Sequence, residues 1–226
     1  MRVKVCGATR VEDVELLAGA GADFVGLWHG VPRGRSELGL DRLAELAEAA
    51  HARRLRPVLV TLESDMDILG GVVARSRIRW VQLHGYQQPG AVRRLKAVCP
   101  DVTVVKVLHM RDGECVEHAL VPAYERAGVD VFLLDTLAAD GRIGSTARTV
   151  DPDAAVRVAD RVGRPVMLAG GLTARNAAAY LPVTSHPRFF GIDVDSGARD
   201  TTGHIDARRV VLIRARWTDK WRVGQT

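Results

Sequence analysis

The stretch VKVCGATRVED, residues 3–13, decides the fold of this chain. Four residues that suit a buried strand, Val3-Lys4-Val5-Cys6, stop at Gly7, and a helix-like run begins almost at once. A strand that turns directly into a helix opens a βαβ unit. An open, doubly wound sheet built from such units usually carries G-x-G-x-x-G at this first turn. Here the turn reads Cys6-Gly7-Ala8-Thr9-Arg10, so the dinucleotide fingerprint is absent.

Reading outward, the same pattern recurs. Apolar runs follow at FVGLW (24–28), PVLVTL (57–62), WVQLH (80–84), VTVVKVL (102–108), VFLLDT (131–136), PVMLAG (165–170) and FFGIDVDSG (189–197). Continuous Val-, Ile- and Leu-rich runs are what parallel strands covered on both faces require. Between them lie amphipathic segments such as VEDVELLAGAGA, LDRLAELAEAAHARRL, PGAVRRLKAVC and DPDAAVRVADRV. The unit therefore repeats about eight times, the strand count of a (β/α)8 barrel, which is the expected fold.

Composition narrows the class. A chain of 226 residues suits one barrel domain over residues 1–226, with WTDKWRVGQT from about 217 expected to fray beyond the final helix. Hydrophobic residues make up 47% of it, yet no apolar stretch approaches the ~18 residues that span a bilayer, so no membrane partner is expected. Strand-like sequence begins at Met1 and leaves no room for a signal peptide, which makes the cytoplasm the expected location. Cys6, Cys99 and Cys115 form an odd set without a CxxC pair, so neither a disulfide framework nor a zinc cluster is expected. The histidines show no HxH or HExxH spacing, so no metal site is expected. The net charge of +5 suits a small anionic substrate; the basic residues are too dispersed to suggest nucleic acid. The arginine- and tryptophan-bearing tail RRVVLIRARWTDKWR reads better as an amphipathic final helix than as a nucleic-acid surface. Monomer and homodimer both remain open.

In such a barrel the βα loops build the active site, so polar residues at the C-terminal ends of strands are the candidates. Those ends are Cys6, His29, Glu63, His84, His109, Asp135, Gly170-Gly171 and Asp193-Val194-Asp195-Ser196-Gly197. Asp135, following three apolar residues, faces a partly desolvated mouth that favours its acid form; the bland alternative is a loop cap. Cys6 is either a small buried hydrophobe or a thiolate base. In LAGGLTARNAAAY, Gly170 and Gly171 let backbone amides approach an anion, and Thr173 is a good N-cap for an expected helix. Ser196 and Gly197 add donors at the place where barrels often bind phosphate. In HGVPRGRSELGL, Arg33 and Arg35 have the geometry to clamp a carboxylate. His84 reads as a strand cap or a substrate contact.

The order KVCGATR, QLHG, FLLDT, LAGGLT and GIDVDSG resembles the phosphoribosylanthranilate isomerase family of tryptophan biosynthesis across about residues 3–215. The resemblance implies an Amadori rearrangement of N-(5-phosphoribosyl)anthranilate to the 1-deoxyribulose phosphate, with no cofactor. It implies Cys6 as general base and Asp135 as general acid, Arg35 on the anthranilate carboxylate, Asp193 on the sugar, and Gly170, Gly171, Ser196 and Gly197 around the phosphate. The chain departs from the family in three places. Arg33-Gly34 and Ser36 flank Arg35 where the family has Ser-Pro and Tyr. Residues 144–152 read GSTARTVDP, with Ser145 and Ala147 at glycine positions. Asp195 stands where the family has serine, next to a phosphate dianion it would repel at a cost of about 1–4 kcal/mol. These departures keep two alternatives in view: a relative acting on another ribosylamine, one without the phosphate included, and a barrel that only binds an anion.

Overall fold

Residue by residue, the apolar runs become the staves of a closed barrel. In the computed structural model, which describes residues 1–137 and 149–218, the strands are β1 (Arg2–Cys6), β2 (Phe24–Trp28), β3 (Arg56–Thr61), β4 (Trp80–Leu83), β5 (Thr103–Arg111), β6 (Val131–Thr136), β7 (Val166–Leu168) and β8 (Phe189–Val194). Each pairs in parallel with the next, and β8 closes the ring on β1. The closing ladder sets Lys4 opposite Asp193, and the β1–β2 ladder sets Cys6 opposite Gly26.

Helices α1 (Val11–Gly19), α2 (Leu40–Ala52), α3 (Met66–Ser76), α4 (Pro89–Val98), α5 (Val121–Ala127), α6 (Pro152–Arg161), α7 (Leu181–Thr184) and α8 (Ala207–Thr218) form the outer ring. Their starts follow local chemistry. Asp65 and Asp151 accept from amides of the first turns of α3 and α6, and Pro89 and Pro152 open α4 and α6 with a preset φ. Outward-facing strand residues such as Val3, Val5, Val25, Leu27, Leu134 and Ile192 meet the buried helix faces in one continuous core. Each such side chain, fully buried, contributes about 1.5–3 kcal/mol.

The opposite strand faces fill the barrel. Its lower end is an aromatic floor: the Phe24 and Trp80 ring centroids lie 4.7 Å apart, and Trp80 stacks on Phe190 at 6.1 Å. Above it come Val105, Val107, Val131, Leu133, Met167 and Ala169. Because side chains alternate, residues two and four places further along reach the mouth: Gly26 and Trp28 above Phe24, and Gln82 and His84 above Trp80.

Several boundaries differ from the sequence reading. β5 runs on to Arg111 and folds back through Asp112-Gly113 onto a two-residue antiparallel strand, Glu114–Cys115. The helix expected directly after Thr173 is replaced by a turn, a 3-10 segment (Ala177–Tyr180) and the four-residue α7. Trp217, placed in the fraying tail by the sequence, is buried within α8 and donates its indole N–H to the Thr173 carbonyl at 2.8 Å. The remainder of that tail, 219–226, and the departures at Ser145 and Ala147 lie outside the described residues. Among the described residues no helix is long and apolar enough to cross a membrane.

Candidate active site

β1 presents Lys4 and Cys6 on its inner face, two residues apart, both buried. The Cys6 sulfur receives two donors, the Trp28 indole N–H at 3.0 Å and the Lys4 ammonium at 3.4 Å. The ammonium also donates to Asp193 Oδ2 at 2.6 Å, while Asp193 Oδ1 is buried without a hydrogen-bond partner. Burial pushes the Cys6 thiol up to about 12, with Lys4 and the Trp28 hydrogen bond pulling down and Asp193 and Asp195 pushing further up. Burial also raises Asp193 against the pull of Lys4. For Lys4, burial pulls down, but Asp193 and Cys6 together hold the ammonium above its ordinary value.

Gly26 shapes this cluster. A Cβ there would lie 2.6 Å from the Cys6 sulfur and 3.0 Å from Lys4 Nζ. Only glycine leaves room for both side chains on the inner face.

Asp135 is the penultimate residue of β6 and is 8% exposed. Burial, reinforced by Asp193 and Asp195, raises it from 3.8 to about 7; the Thr136 N–H at 2.8 Å on Oδ1 and the more distant Lys4 oppose the shift. His84 Nε2 is 3.8 Å from Asp135 Oδ2. Burial, with His109, Lys4 and Lys106, drives His84 down to about 3, so its ring is neutral at physiological pH. Gln82 Nε2 donates to His84 Nδ1 at 2.9 Å, which puts the ring proton on Nε2, toward Asp135.

Behind His84 lies a second polar layer. His109 Nδ1 meets Glu117 at 2.5 Å and its Nε2 meets the His84 carbonyl at 3.1 Å. Lys106, fully buried, donates to the carbonyls of Gly85 at 2.8 Å and Val107 at 2.6 Å. Burial lowers it to about 8 against Glu117 and Cys115. These bonds pin the backbone that carries His84.

The anion candidates fall into two groups. Gly171, Ser196 and Gly197 line one cavity with Thr173, Arg175 and Arg209, and Gly170 and Gly171 adopt positive φ beside it. A Cβ on Gly197 would meet the Leu172 carbonyl oxygen at 2.0 Å, so the two loops touch there through glycine. Thr173 caps no long helix; its amide and hydroxyl instead bond Asn176 Oδ1. Any donors at this place are individual amides rather than a helix terminus. In the second group, the Asp195 carboxylate bridges Arg35 Nη2 and Arg199 Nε, the latter at 2.8 Å. Arg199 also donates to the carbonyls of Cys6 at 3.1 Å, Gly7 at 2.8 Å and Gly203 at 2.9 Å. One carboxylate between two guanidinium groups leaves a net positive charge facing the loops. Arg33 is exposed in left-handed backbone, and no hydrogen bond or ion pair of it occurs among the described residues.

The structure thus gathers Cys6, His84, Asp135 and Asp193 at the mouth, and Arg35 beside them through Asp195. It leaves out His29, tied to the Leu38 carbonyl at 2.7 Å, and Glu63, which caps its own loop at Ser64 and Asp65. Sequence reasoning missed Lys4, Trp28, Gln82 and Arg199. For Lys4 and Gln82 a signal existed: each is polar on an otherwise apolar parallel strand, two residues before a candidate. Arg199 gave only its i,i+4 spacing from Asp195, because two of its other partners are the carbonyls of Cys6 and Gly7 from a distant part of the chain.

Fold and site together define a (β/α)8 barrel with a buried carboxyl of raised pKa and a hydrogen-bonded sulfur at one mouth. The model of the family described as N-(5'phosphoribosyl)anthranilate (PRA) isomerase matches residues 3–214. The chain belongs to that family. It is 34% identical to N-(5'-phosphoribosyl)anthranilate isomerase 2 of Methanosarcina mazei, over 93% of this chain and 91% of the relative. It is 36% identical to N-(5'-phosphoribosyl)anthranilate isomerase of Chromohalobacter salexigens, over 92% and 90%. The solved phosphoribosyl anthranilate isomerase of Thermus thermophilus superposes with a TM-score of 0.78 at 25% identity, covering 96% of this chain and 98% of that one.

Proposed function

We propose that this barrel converts N-(5-phosphoribosyl)anthranilate to 1-(2-carboxyphenylamino)-1-deoxyribulose 5-phosphate, with Asp135 as general acid and Cys6 as general base. Asp135 gives its proton to the furanose oxygen, the C1–O bond opens, and the amine nitrogen's lone pair forms the C1=N bond. Cys6 takes the C2 proton, the electron pair of that C–H bond forms C1=C2, and the C1=N pair returns to nitrogen, giving an enolamine. C1 then gains a proton and the C2 hydroxyl loses one, so product and substrate are isomers. The neutral His84 steadies Asp135, and Asp193, near the end of β8 beside Lys4, is the sugar contact.

The observation that carries this reading is the meeting of a buried, raised carboxyl and a doubly hydrogen-bonded sulfur at one mouth; burial raises the thiol too, to about 12, and the two N–H donors oppose that rise. Burial keeps Asp135 an acid to about pH 7. Arg35 supports a contact to the anthranilate carboxylate. The phosphate belongs with Gly170, Gly171, Ser196 and Gly197. Asp195, neutralised by Arg35 and Arg199, does not stand against a phosphorylated substrate. The test is to mix purified protein with freshly generated phosphoribosylanthranilate and follow loss of substrate fluorescence. Loss that disappears in Asp135→Asn supports the reading; no loss from folded protein overturns it.

A further inference from the structure

We infer that Lys4 is the positioning residue that makes Cys6 a usable base: its ammonium, turned by Asp193, stabilises the thiolate across the inner face of β1. The inference rests on the reading of Cys6 as the base and adds a residue that the base depends on.

The geometry supports it in four ways. Lys4 and Cys6 alternate along one strand, so both side chains point inward, and the ammonium reaches the sulfur at 3.4 Å. On its other side the sulfur takes the Trp28 N–H at 3.0 Å. A sulfur on which two N–H donors converge is an acceptor, which suits a thiolate better than a thiol with a proton of its own to place. The contact is built in by Gly26, since any Cβ there would occupy the space where sulfur and ammonium meet. The Lys4–Asp193 pair also lacks a purely structural reason. A buried ion pair stabilises a fold little compared with apolar residues of the same volume, and this one leaves Asp193 Oδ1 unpartnered.

The charges facing the sulfur fix the sign. Lys4 comes from β1, Asp193 from β8 and Asp195 from the loop after it; the β2 neighbour, Trp28, is neutral. Among the described residues Lys4 is the cation that acts on the sulfur, against two carboxylates. In the reaction the ammonium keeps its three protons. The C2 proton goes to the sulfur and the electron pair of the C–H bond to C1=C2, so Lys4 acts only by holding the thiolate before that step.

The test reads the thiolate directly. Cys6 is alkylated with iodoacetamide, a neutral reagent, at pH 8.5, and modification of the Cys6 peptide is followed by mass spectrometry. The rate follows thiolate population, which changes tenfold per unit of pKa. Lys4→Met is expected to slow alkylation at least about tenfold and to lower kcat by a similar factor, with KM within about threefold; Lys4→Arg is expected to restore most of both. Should Lys4→Met fail to fold, the double variant Lys4→Met with Asp193→Asn removes both buried charges together, and slower alkylation than wild type is expected of it too. Alkylation within twofold of wild type in the folded Lys4 variant overturns the inference. Failure of the base assignment looks different: Cys6→Ser would keep its turnover while the alkylation effects of Lys4 stood.

Discussion

Replacing Asp135 by asparagine tests chemistry and electrostatics together. The carboxyl is buried, and its pKa rises from 3.8 to about 7. A raised carboxyl binds its proton more tightly folded than unfolded. Its acid form therefore stabilises the fold relative to the charged form. That stability is fully present below the unfolded value near 4 and is lost as pH rises through about 7. At about 1.4 kcal/mol per pH unit, the ionised group costs at most roughly 4 kcal/mol at pH 8 and above. Asparagine keeps the shape and the bond from the Thr136 N–H without ever ionising. The variant is expected to lose turnover at least about a hundredfold, as removal of a general acid does. It is also expected to melt several degrees above wild type at pH 8.5, since each kcal/mol moves Tm by about 2–4 °C in a chain of this size. The gap should narrow toward pH 5, where wild type is protonated as well. Circular dichroism melts of both proteins from pH 5 to 9, with the fluorescence assay alongside, decide the matter. A melting difference that does not vary with pH would refute the raised acidity, and retained turnover would refute the acid role.

Three further outcomes are expected. Cys6→Ala should lose 10²–10⁴-fold in kcat, on the order of a missing general base, and a variant keeping more than about a tenth of the rate would count against the assignment. Gly26→Ala drives a methyl to 2.6 Å from the sulfur; denaturant unfolding should show a loss of about 1–3 kcal/mol, together with at least a tenfold drop in kcat, and unchanged kinetics would show that the sulfur has room to move. Asp195→Ser removes a carboxylate already paired with Arg35 and Arg199, so KM for the phosphorylated substrate should stay within about threefold; a tenfold fall would mean that the phosphate feels the unscreened charge.

The barrel was legible because each strand is an uninterrupted apolar run and each helix an amphipathic one, and VFLLDT at 131–136 coincides with β6 residue for residue. The β5 hairpin went unread although Arg111-Asp112-Gly113-Glu114 contains the Asp-Gly pair that tight hairpins favour. Its returning strand is only two residues long, too short for any periodicity. Thr173 misled because a cap residue predicts a helix only when an apolar stripe follows, and Arg175-Asn176 interrupts it. At the site, Cys6, His84, Asp135 and Asp193 were legible from strand ends. Lys4 was hidden one turn of the pleat lower, where charge is unexpected. Asp195 was legible as a strand end, but its pairing with Arg35 spans 160 residues and Arg199 reaches the Cys6 and Gly7 carbonyls, neither of which leaves a pattern in sequence.

Strand β2 carries three storeys of the barrel on one face: Phe24 in the floor, Gly26 in the gap beneath the sulfur, and Trp28 donating to it. Its other face, Val25 and Leu27, is equally apolar and equally buried. A slip of one residue would exchange these faces with little hydrophobic penalty, since hydrophobic pattern specifies register only where one face alone is buried. The slipped barrel would be chemically inert and strained, because Val25 would press a side chain into the gap that only glycine leaves open and Leu27 would stand where the indole belongs. Fidelity at β2 is therefore enforced by the glycine gap together with the ladders to β1 and β3, so the residue that gives the sulfur its space also sets the register of the strand.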